Sequence, residues 1–338
     1  MFIVLEPTCP PAQADRVLGC LAAADAVGRL SEGRSRRVIE VLEGQDRIDR
    51  SRIEQLAGVV RIVDAARELV GTPESSKPQP REVPLGSRAT VGGRRLAIIA
   101  GPCSVEDQTR LLETAHAVAE AGAVGLRGGA YKPRTSPYSF QGLGDAALDL
   151  LAQARQATGL AIVTEVMSTE QIARVAAVAD VLQVGSRNMH NTPLLRALGE
   201  QDKPVLLKRG WSATLEELLQ AAEYVRVGGN PSIILCERGI RTHERYVRNT
   251  LALAVVPEAR RLSGLPMIVD PSHGTGRAHL IEPMCRAAVA CGADGLLIEV
   301  HPNPNRAWSD GEQSLEPAAF ARLVERLRPV ATACDREL

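Results

Sequence analysis

The 338 residues are 45% apolar, enough to bury one or two sizeable cores. Forty Lys and Arg balance forty Asp and Glu, a neutral sum that argues against a dedicated nucleic-acid binder, whose binding face carries a basic excess. No run of 18 apolar residues occurs, the opening segment lacks a basic signal-peptide start, and the seven cysteines form no CxxC pair. No membrane span, secretion signal or disulfide scaffold is therefore expected, and the expected compartment is the reducing cytoplasm.

Residues 1–66 read as a small α/β unit. Residues 2–6 are strand-like, 11–27 carry apolar residues at helical spacing, 36–44 and 60–65 are further strand runs, and 49–59 is a second helix. With a weakly marked strand at 28–30, the order is β-α-β-β-α-β, that of a ferredoxin-like α+β module. The polar, Pro- and Gly-rich stretch 67–94 reads as a linker ending in a small hairpin. From residue 95 onward, short β-branched runs recur at 96–102, 123–129, 161–166, 181–185, 204–210, 233–239, 266–272 and 295–301. Segments of helical period lie between them, including 143–158, 213–228, 246–263 and 277–292. Eight strands alternating with eight helices over about 240 residues predict a (β/α)8 TIM barrel in residues 95–338. The rival doubly wound sheet needs a Gly-rich dinucleotide turn after an early strand, and none is present.

A barrel of this kind works at the C-terminal ends of its strands. Those positions hold Cys103, Arg127, Glu165, Arg187, Lys208, Arg238, His273 and Glu299, whereas the strand bodies are almost wholly apolar. Arg127, Lys132, Arg134, Arg187, Lys208, Arg209, Arg238 and Arg241 concentrate positive charge on that rim, which points to phosphate and carboxylate ligands. The ordinary alternative for each is an ion pair on a loop, and for Arg209 and Arg241 the two readings balance. All but four of the basic residues are arginine, so two lysines on one rim, Lys132 and Lys208, favour function.

Cys103, His273, Glu299 and Asp310 belong to the first, seventh and eighth strands, which are neighbours once the barrel closes. A thiolate, an imidazole and two carboxylates suit Mn, Fe, Co or Zn and do not suit Ca or Mg. Against this, a lone Cys is usually a small buried hydrophobe and Asp310 sits in a turn-like sequence. Cys236 is expected to point into the barrel core. Cys9, Cys20, Cys285, Cys291 and Cys334 have no ligand partners, His116, His243 and His279 are weak candidates, and His301 and Asp270 are placed near the ligands.

Eight segments carry a family resemblance. They are 101–104 (Gly-Pro-Cys-Ser), 126–142 (with Lys-Pro-Arg-Thr at 132–135), 183–188 (Gln-Val-Gly-Ser-Arg-Asn), 207–210 (Leu-Lys-Arg-Gly), 235–242, 269–273, 298–302 and 309–315. In this order they resemble the 3-deoxy-D-arabino-heptulosonate 7-phosphate (DAHP) synthases over residues 95–330. The match is similar to the type I beta branch, whose members can carry an N-terminal ferredoxin-like, ACT-like regulatory domain.

The resemblance implies condensation of phosphoenolpyruvate with erythrose 4-phosphate and water, the first step of the shikimate pathway toward chorismate and the aromatic amino acids. It implies one divalent metal, Mn in first place, on Cys103, His273, Glu299 and Asp310. Phosphoenolpyruvate is expected on Arg127, Lys132, Ser186, Arg187, Lys208 and Arg238. Lys132, Pro133, Arg134 and Thr135 are expected to meet erythrose 4-phosphate. Lys132, Lys208, Glu165 and His273 are the expected catalytic residues. Residues 1–66 are expected to take Tyr or Phe as a feedback effector, in a homotetramer or homodimer. A truncation beginning near Ser87 should then stay active and lose feedback. The competing readings are a 3-deoxy-octulosonate 8-phosphate synthase, a Schiff-base aldolase using Lys132 or Lys208, and a catalytically silent sensor.

Overall fold

A computed structural model of the chain describes residues 1–32, 37–63, 80–134 and 136–338. The N-terminal elements are β1 (Phe2–Leu5), α1 (Pro11–Ala23), β2 (Val27–Glu32), β3 (Arg37–Glu43), α2 (Arg50–Glu54) and β4 (Val59–Val63). Their antiparallel sheet has the order β2-β3-β1-β4. Ile3, Leu5, Ile39, Val41 and Ile62 recur at period two and pack with Val17 and Leu21 of α1 in a core of their own. Helix α1 ends at Ala23 rather than running to 27, because the chain turns through Asp25 in the left-handed region (φ 54°).

Residues 64–79, which take in the end of the predicted 60–65 strand and the first part of the predicted 67–94 linker, lie outside the described residues. The hairpin follows as β5 (Val83–Leu85) and β6 (Ala89–Val91). Then come β7 (Ala97–Gly101), α3 (Gln108–Glu120), β8 (Gly125–Arg127), α4 (Asp145–Thr158), β9 (Ala161–Glu165), α5 (Ile172–Val178) and β10 (Val181–Val184). The second half holds α6 (Thr192–Gly199), β11 (Val205–Lys208), α7 (Leu215–Val227), β12 (Ile233–Glu237), α8 (Val255–Ser263) and β13 (Met267–Val269). It ends with α9 (Pro271–Thr275), α10 (Ala278–Ala290), β14 (Gly295–Glu299) and α11 (Pro317–Ala333).

Strands β7 to β14 close a parallel barrel in chain order, with β14 pairing β7 so that Glu299 lies opposite Gly101. All eight predicted strand runs are barrel strands. The predicted helix 246–263 is corrected: only α8, from Val255, is helical. Pro257 has no amide hydrogen to give and its ring crowds the preceding turn, so it is tolerated only in the first turn of a helix.

The two-residue strand period sorts the barrel side chains. Ile99, Val163, Leu206, Ile234, Cys236, Ile268 and Leu297 form one cluster inside the barrel. Ile98, Leu126, Ile162, Leu182, Leu207, Leu235 and Ile298 pack with the surrounding helices in another. Val83, Leu85 and Val91 of the hairpin join the inner cluster, so the hairpin is part of the barrel core. Continued to the C-terminal ends, the inward parity delivers Arg127, Glu165, Gln183, Lys208, Arg238, Asp270 and Glu299 to the mouth.

Candidate active site

Gly101 ends β7 at φ 152°, and a Cβ there would stand 2.2 Å from the Arg127 carbonyl oxygen. This close approach brings Cys103 beside β8. His273 comes from α9, whose N-cap is Asp270: one carboxylate oxygen accepts from the His273 backbone amide at 2.9 Å. The other meets His273 Nδ1 at 2.8 Å, which leaves Nε2 facing the mouth. Glu299 is the last residue of β14. Asp310 reaches back from the following loop in the left-handed conformation (φ 53°), which aspartate tolerates. That loop is pinned by Ser104 Oγ to Ser309 Oγ (2.8 Å) and by Glu106, which accepts from the Trp308 amide at 2.6 Å. His301 engages Glu106 at 3.2 Å rather than a member of the cluster.

The donor atoms of Cys103, His273, Glu299 and Asp310 all lie within 4.8 Å of one another. Two donors on one ion, at bond lengths of about 2.0–2.3 Å, sit at most about 4.6 Å apart. The four groups therefore fit a single divalent ion with small adjustments, and their chemistry suits a borderline one. Burial, followed by the charge of Glu299, pushes the Cys103 thiol up to about 12 despite Lys132 and Arg127. Such a thiol ionises when a cation replaces its proton. Burial would raise Glu299 and Asp310 too. His273 and Arg127 outweigh it for Glu299, and Lys132 with the Cys103 hydrogen bond outweighs it for Asp310, so both fall below the usual carboxylate range. Burial lowers His273, favouring the neutral imidazole a metal requires.

Beside the cluster opens a cavity of about 300 Å³. Lys132, Arg134, Arg187, Lys208, Arg238 and Arg248 line it, together with only two carboxylates, Glu165 and Asp310. Pro133, Ser186 and His273 complete part of its wall. Arg127 lies in the adjoining small cavity with Cys103, its Nη1 on Glu299 at 2.7 Å and its Nε without a partner. Arg238 is buried at 3% exposure, and among the described residues no carboxylate pairs with it. Burial pulls its guanidinium down to about 10 against the pull of Asp270. A cation held this way is stabilised by an incoming anion. Glu165 Oε1 is also buried and unpartnered, while Oε2 accepts from Gln183 at 3.2 Å. A Cβ at Gly185 would stand 2.1 Å from Glu165 Oε1, so a side chain there would displace that carboxylate.

Two readings that the sequence left open are narrowed by the structure. Arg209 donates to buried Glu237 at 2.8 Å and does not line the cavity, so it is a structural ion pair. Lys132, for all its burial, is held above the usual lysine range by Cys103 and Glu299, and Lys208 Nζ lies 2.5 Å from Asp270. For Lys132 this disfavours the neutral amine a Schiff base needs, and Lys208 is engaged in a buried ion pair with Asp270. Arg241 lies over the Trp211 ring at 4.5 Å, with Arg187 over the same ring at 4.8 Å. Thr135 lies outside the described residues. Arg248, Gln313, Trp211 and Gln183 were not anticipated. The one signal for Arg248 was Pro257, which places residues 246–254 outside a helix.

The family model of the DAHP synthetase I family matches residues 81–334. A phospho-2-dehydro-3-deoxyheptonate aldolase of Thermotoga maritima is 44% identical over 334 residues, covering 98% of each chain. A 2-dehydro-3-deoxyphosphooctonate aldolase of Alkalilimnicola ehrlichii is 33% identical and matches 69% of this chain and 90% of its own. The crystal structure of the Thermotoga maritima DAHP synthase superposes with a TM-score of 0.79 at 42% identity, covering 99% of this chain and 98% of its own. A truncated form of that enzyme covers 77% of this chain and 95% of its own, with a TM-score of 0.72 at 45% identity.

Proposed function

The chain belongs to the DAHP synthetase I family, and from that premise we propose how its mouth condenses phosphoenolpyruvate with erythrose 4-phosphate. The observation that carries the reading is a four-donor cluster beside a cavity whose buried Arg238 has no carboxylate partner among the described residues. Cys103, His273, Glu299 and Asp310 would hold one divalent ion, Mn in first place and Fe, Co or Zn otherwise. A divalent ion bound there supplies Lewis-acid stabilisation of the charge developing on the sugar's aldehyde oxygen.

The protein's own groups do the rest. Arg187, Ser186, Lys208 and Arg238 bind the phosphate and carboxylate of phosphoenolpyruvate, with Arg127 and Lys132 at the inner end. Pro133, Arg134 and Thr135 receive the phosphate end of erythrose 4-phosphate. Holding two anions side by side in attack geometry is the main service of these cations, because it removes the entropy cost of their encounter. As C3 of phosphoenolpyruvate bonds to the aldehyde carbon, C2 becomes electron-poor and takes up water. Glu165 Oε1, free of protein partners, accepts a proton from that water, with Lys208 opposite. Cleavage of the C2–O(phosphate) bond then expels phosphate as the C2 hydroxyl loses its proton to become the ketone, and the two protons of the added water end on the former aldehyde oxygen and on the departing phosphate.

Phosphate release from phosphoenolpyruvate plus erythrose 4-phosphate, with and without added metal after chelation, tests this reading. Metal-dependent release supports it; release only with arabinose 5-phosphate would favour an octulosonate enzyme, and no release with either sugar would end it. We further propose that residues 1–66 regulate the barrel in a cytoplasmic homo-oligomer, a tetramer or dimer, with Tyr or Phe as effector. The support is a separate N-terminal core joined to the barrel through a Pro-rich segment. No helix among the described residues is long and apolar enough to cross a membrane.

A further inference from the structure

The four metal donors come from the segment after β7, from α9, from the end of β14 and from the loop that follows it, and two residues outside the donor set tie the last three together. Arg248 Nη1 donates to Asp310 Oδ1 at 3.1 Å and to Gln313 Oε1 at 2.7 Å. Gln313 Nε2 donates in turn to Glu299 Oε2 at 2.6 Å. We infer that Arg248 and Gln313 are positioning residues that fix which carboxylate oxygens of Asp310 and Glu299 face the metal. This rests on the metal reading proposed above.

The chain of bonds has only one polarity. A guanidinium only donates and a carboxylate only accepts, so the Gln313 amide between them must point its oxygen at Arg248 and its nitrogen at Glu299. Each carboxylate then has one oxygen tied to this chain of bonds and the other among the remaining donors, where Arg127 Nη1 also meets Glu299 Oε1 at 2.7 Å and Lys132 Nζ meets Asp310 Oδ2 at 3.3 Å. Asp310 Oδ2 lies 2.9 Å from Cys103 Sγ, and Glu299 Oε1 lies 3.3 Å from His273 Nε2. Gln313 is buried at 3% exposure, so water does not substitute for it.

Arg248 is itself held against the third donor-bearing element. Its backbone amide donates to Thr275 O at 2.8 Å, and the Asn249 amide donates to Gly274 O at 2.8 Å. Asn249 Nδ2 donates to His273 O at 3.0 Å. Residues 248–249 are therefore laced to α9, while the Arg248 side chain reaches the Asp310 loop. Without the pair, each carboxylate gains rotational freedom that metal binding must then remove. Groups in this position typically change metal affinity about 10–100-fold.

Gln313 gives the cleaner test, because Arg248 also lines the substrate cavity and Gln313 does not. The full chain, freed of metal, is titrated with Mn2+ and Co2+ against a chromophoric chelator, and the thiolate charge-transfer band of the Co2+ protein is recorded. Gln313→Leu and Arg248→Met are expected to bind about 10–100-fold more weakly with an altered Co2+ band. Arg248→Lys should fall between Arg248→Met and wild type. Gln313→Leu at saturating metal should keep its KM for phosphoenolpyruvate, which a general loss of structure would not spare. If Gln313→Leu fails to fold, Gln313→Asn takes its place, since the amide retracts by one methylene. Wild-type affinity and band in both Gln313→Leu and Arg248→Met overturn the inference. Wild-type protein that binds no stoichiometric metal, or Cys103→Ser that binds as tightly as wild type, overturns the metal reading itself.

Discussion

Replacing Asp270 by Asn separates charge from shape at the buried hub of the site. The carboxylate is 1% exposed and serves three donors. Oδ2 takes Lys208 Nζ at 2.5 Å and His273 Nδ1 at 2.8 Å, while Oδ1 takes the His273 backbone amide at 2.9 Å. An asparagine amide offers one acceptor and one donor group. If its nitrogen replaces Oδ2, it faces the Lys208 ammonium and forces His273 Nδ1 to accept, moving the ring proton to Nε2, where it blocks metal ligation. If its nitrogen replaces Oδ1, it faces the backbone amide hydrogen of residue 273. Either orientation sets donor against donor. Breaking a buried pair by removing one partner costs about 3–5 kcal/mol. At about 2–4 °C per kcal/mol for a domain of this size, the metal-free variant should melt about 6–20 °C below wild type. Its metal affinity should also fall about 10–100-fold. Calorimetric melting of the metal-free proteins and metal titration read the two effects. Melting within about 2 °C of wild type, or wild-type metal affinity, would refute the claim that this carboxylate carries charge for both Lys208 and His273.

Three further outcomes are expected. Arg238→Met should leave the melting temperature unchanged or raised, because a buried guanidinium without a carboxylate partner is replaced by an apolar chain, while KM for phosphoenolpyruvate rises at least tenfold; a lowered melting temperature with unchanged kinetics would return Arg238 to a structural role. Gly185→Ala should cut kcat far more than it shifts melting, because the new methyl displaces the Glu165 carboxylate, and wild-type kcat would show that Glu165 has no fixed place in the reaction. A chain beginning at residue 80 should stay active and lose inhibition by Tyr or Phe, whereas one beginning near Ser87 loses Val83 and Leu85 from the barrel core, at about 1.5–3 kcal/mol each. Equal melting of the two truncated chains would deny the hairpin its place in the core, and inhibition retained from residue 80 would sink the regulatory reading.

What the sequence made legible follows the two-residue period of strands. Once Ile234 and Cys236 are known to face inward, Arg238 must enter the mouth, and the same count leads from Ile268 to Asp270 and from Leu297 to Glu299. Closing the barrel in chain order then brings β7, β13 and β14 side by side, so the convergence of Cys103, His273 and Glu299 required no knowledge of loop shape. Asp310 was placed only as a member of the loop after the eighth strand, because its direction depends on a left-handed residue that no periodicity encodes. Arg248 and Gln313 lie beyond that limit. Each belongs to an irregular segment whose path is set by hydrogen bonds to other loops: Arg248 to Thr275, and the Asp310 loop to Ser104 and Glu106. The first pairs backbone groups with no residue preference, and the other two join residues about 200 positions apart, so none leaves a local trace in the sequence. The donors are thus written into strand parity, while their orientation is written into loop contacts. A substitution in residues 246–254 or 309–315 can therefore weaken the metal site without touching any residue that a strand-by-strand reading would choose.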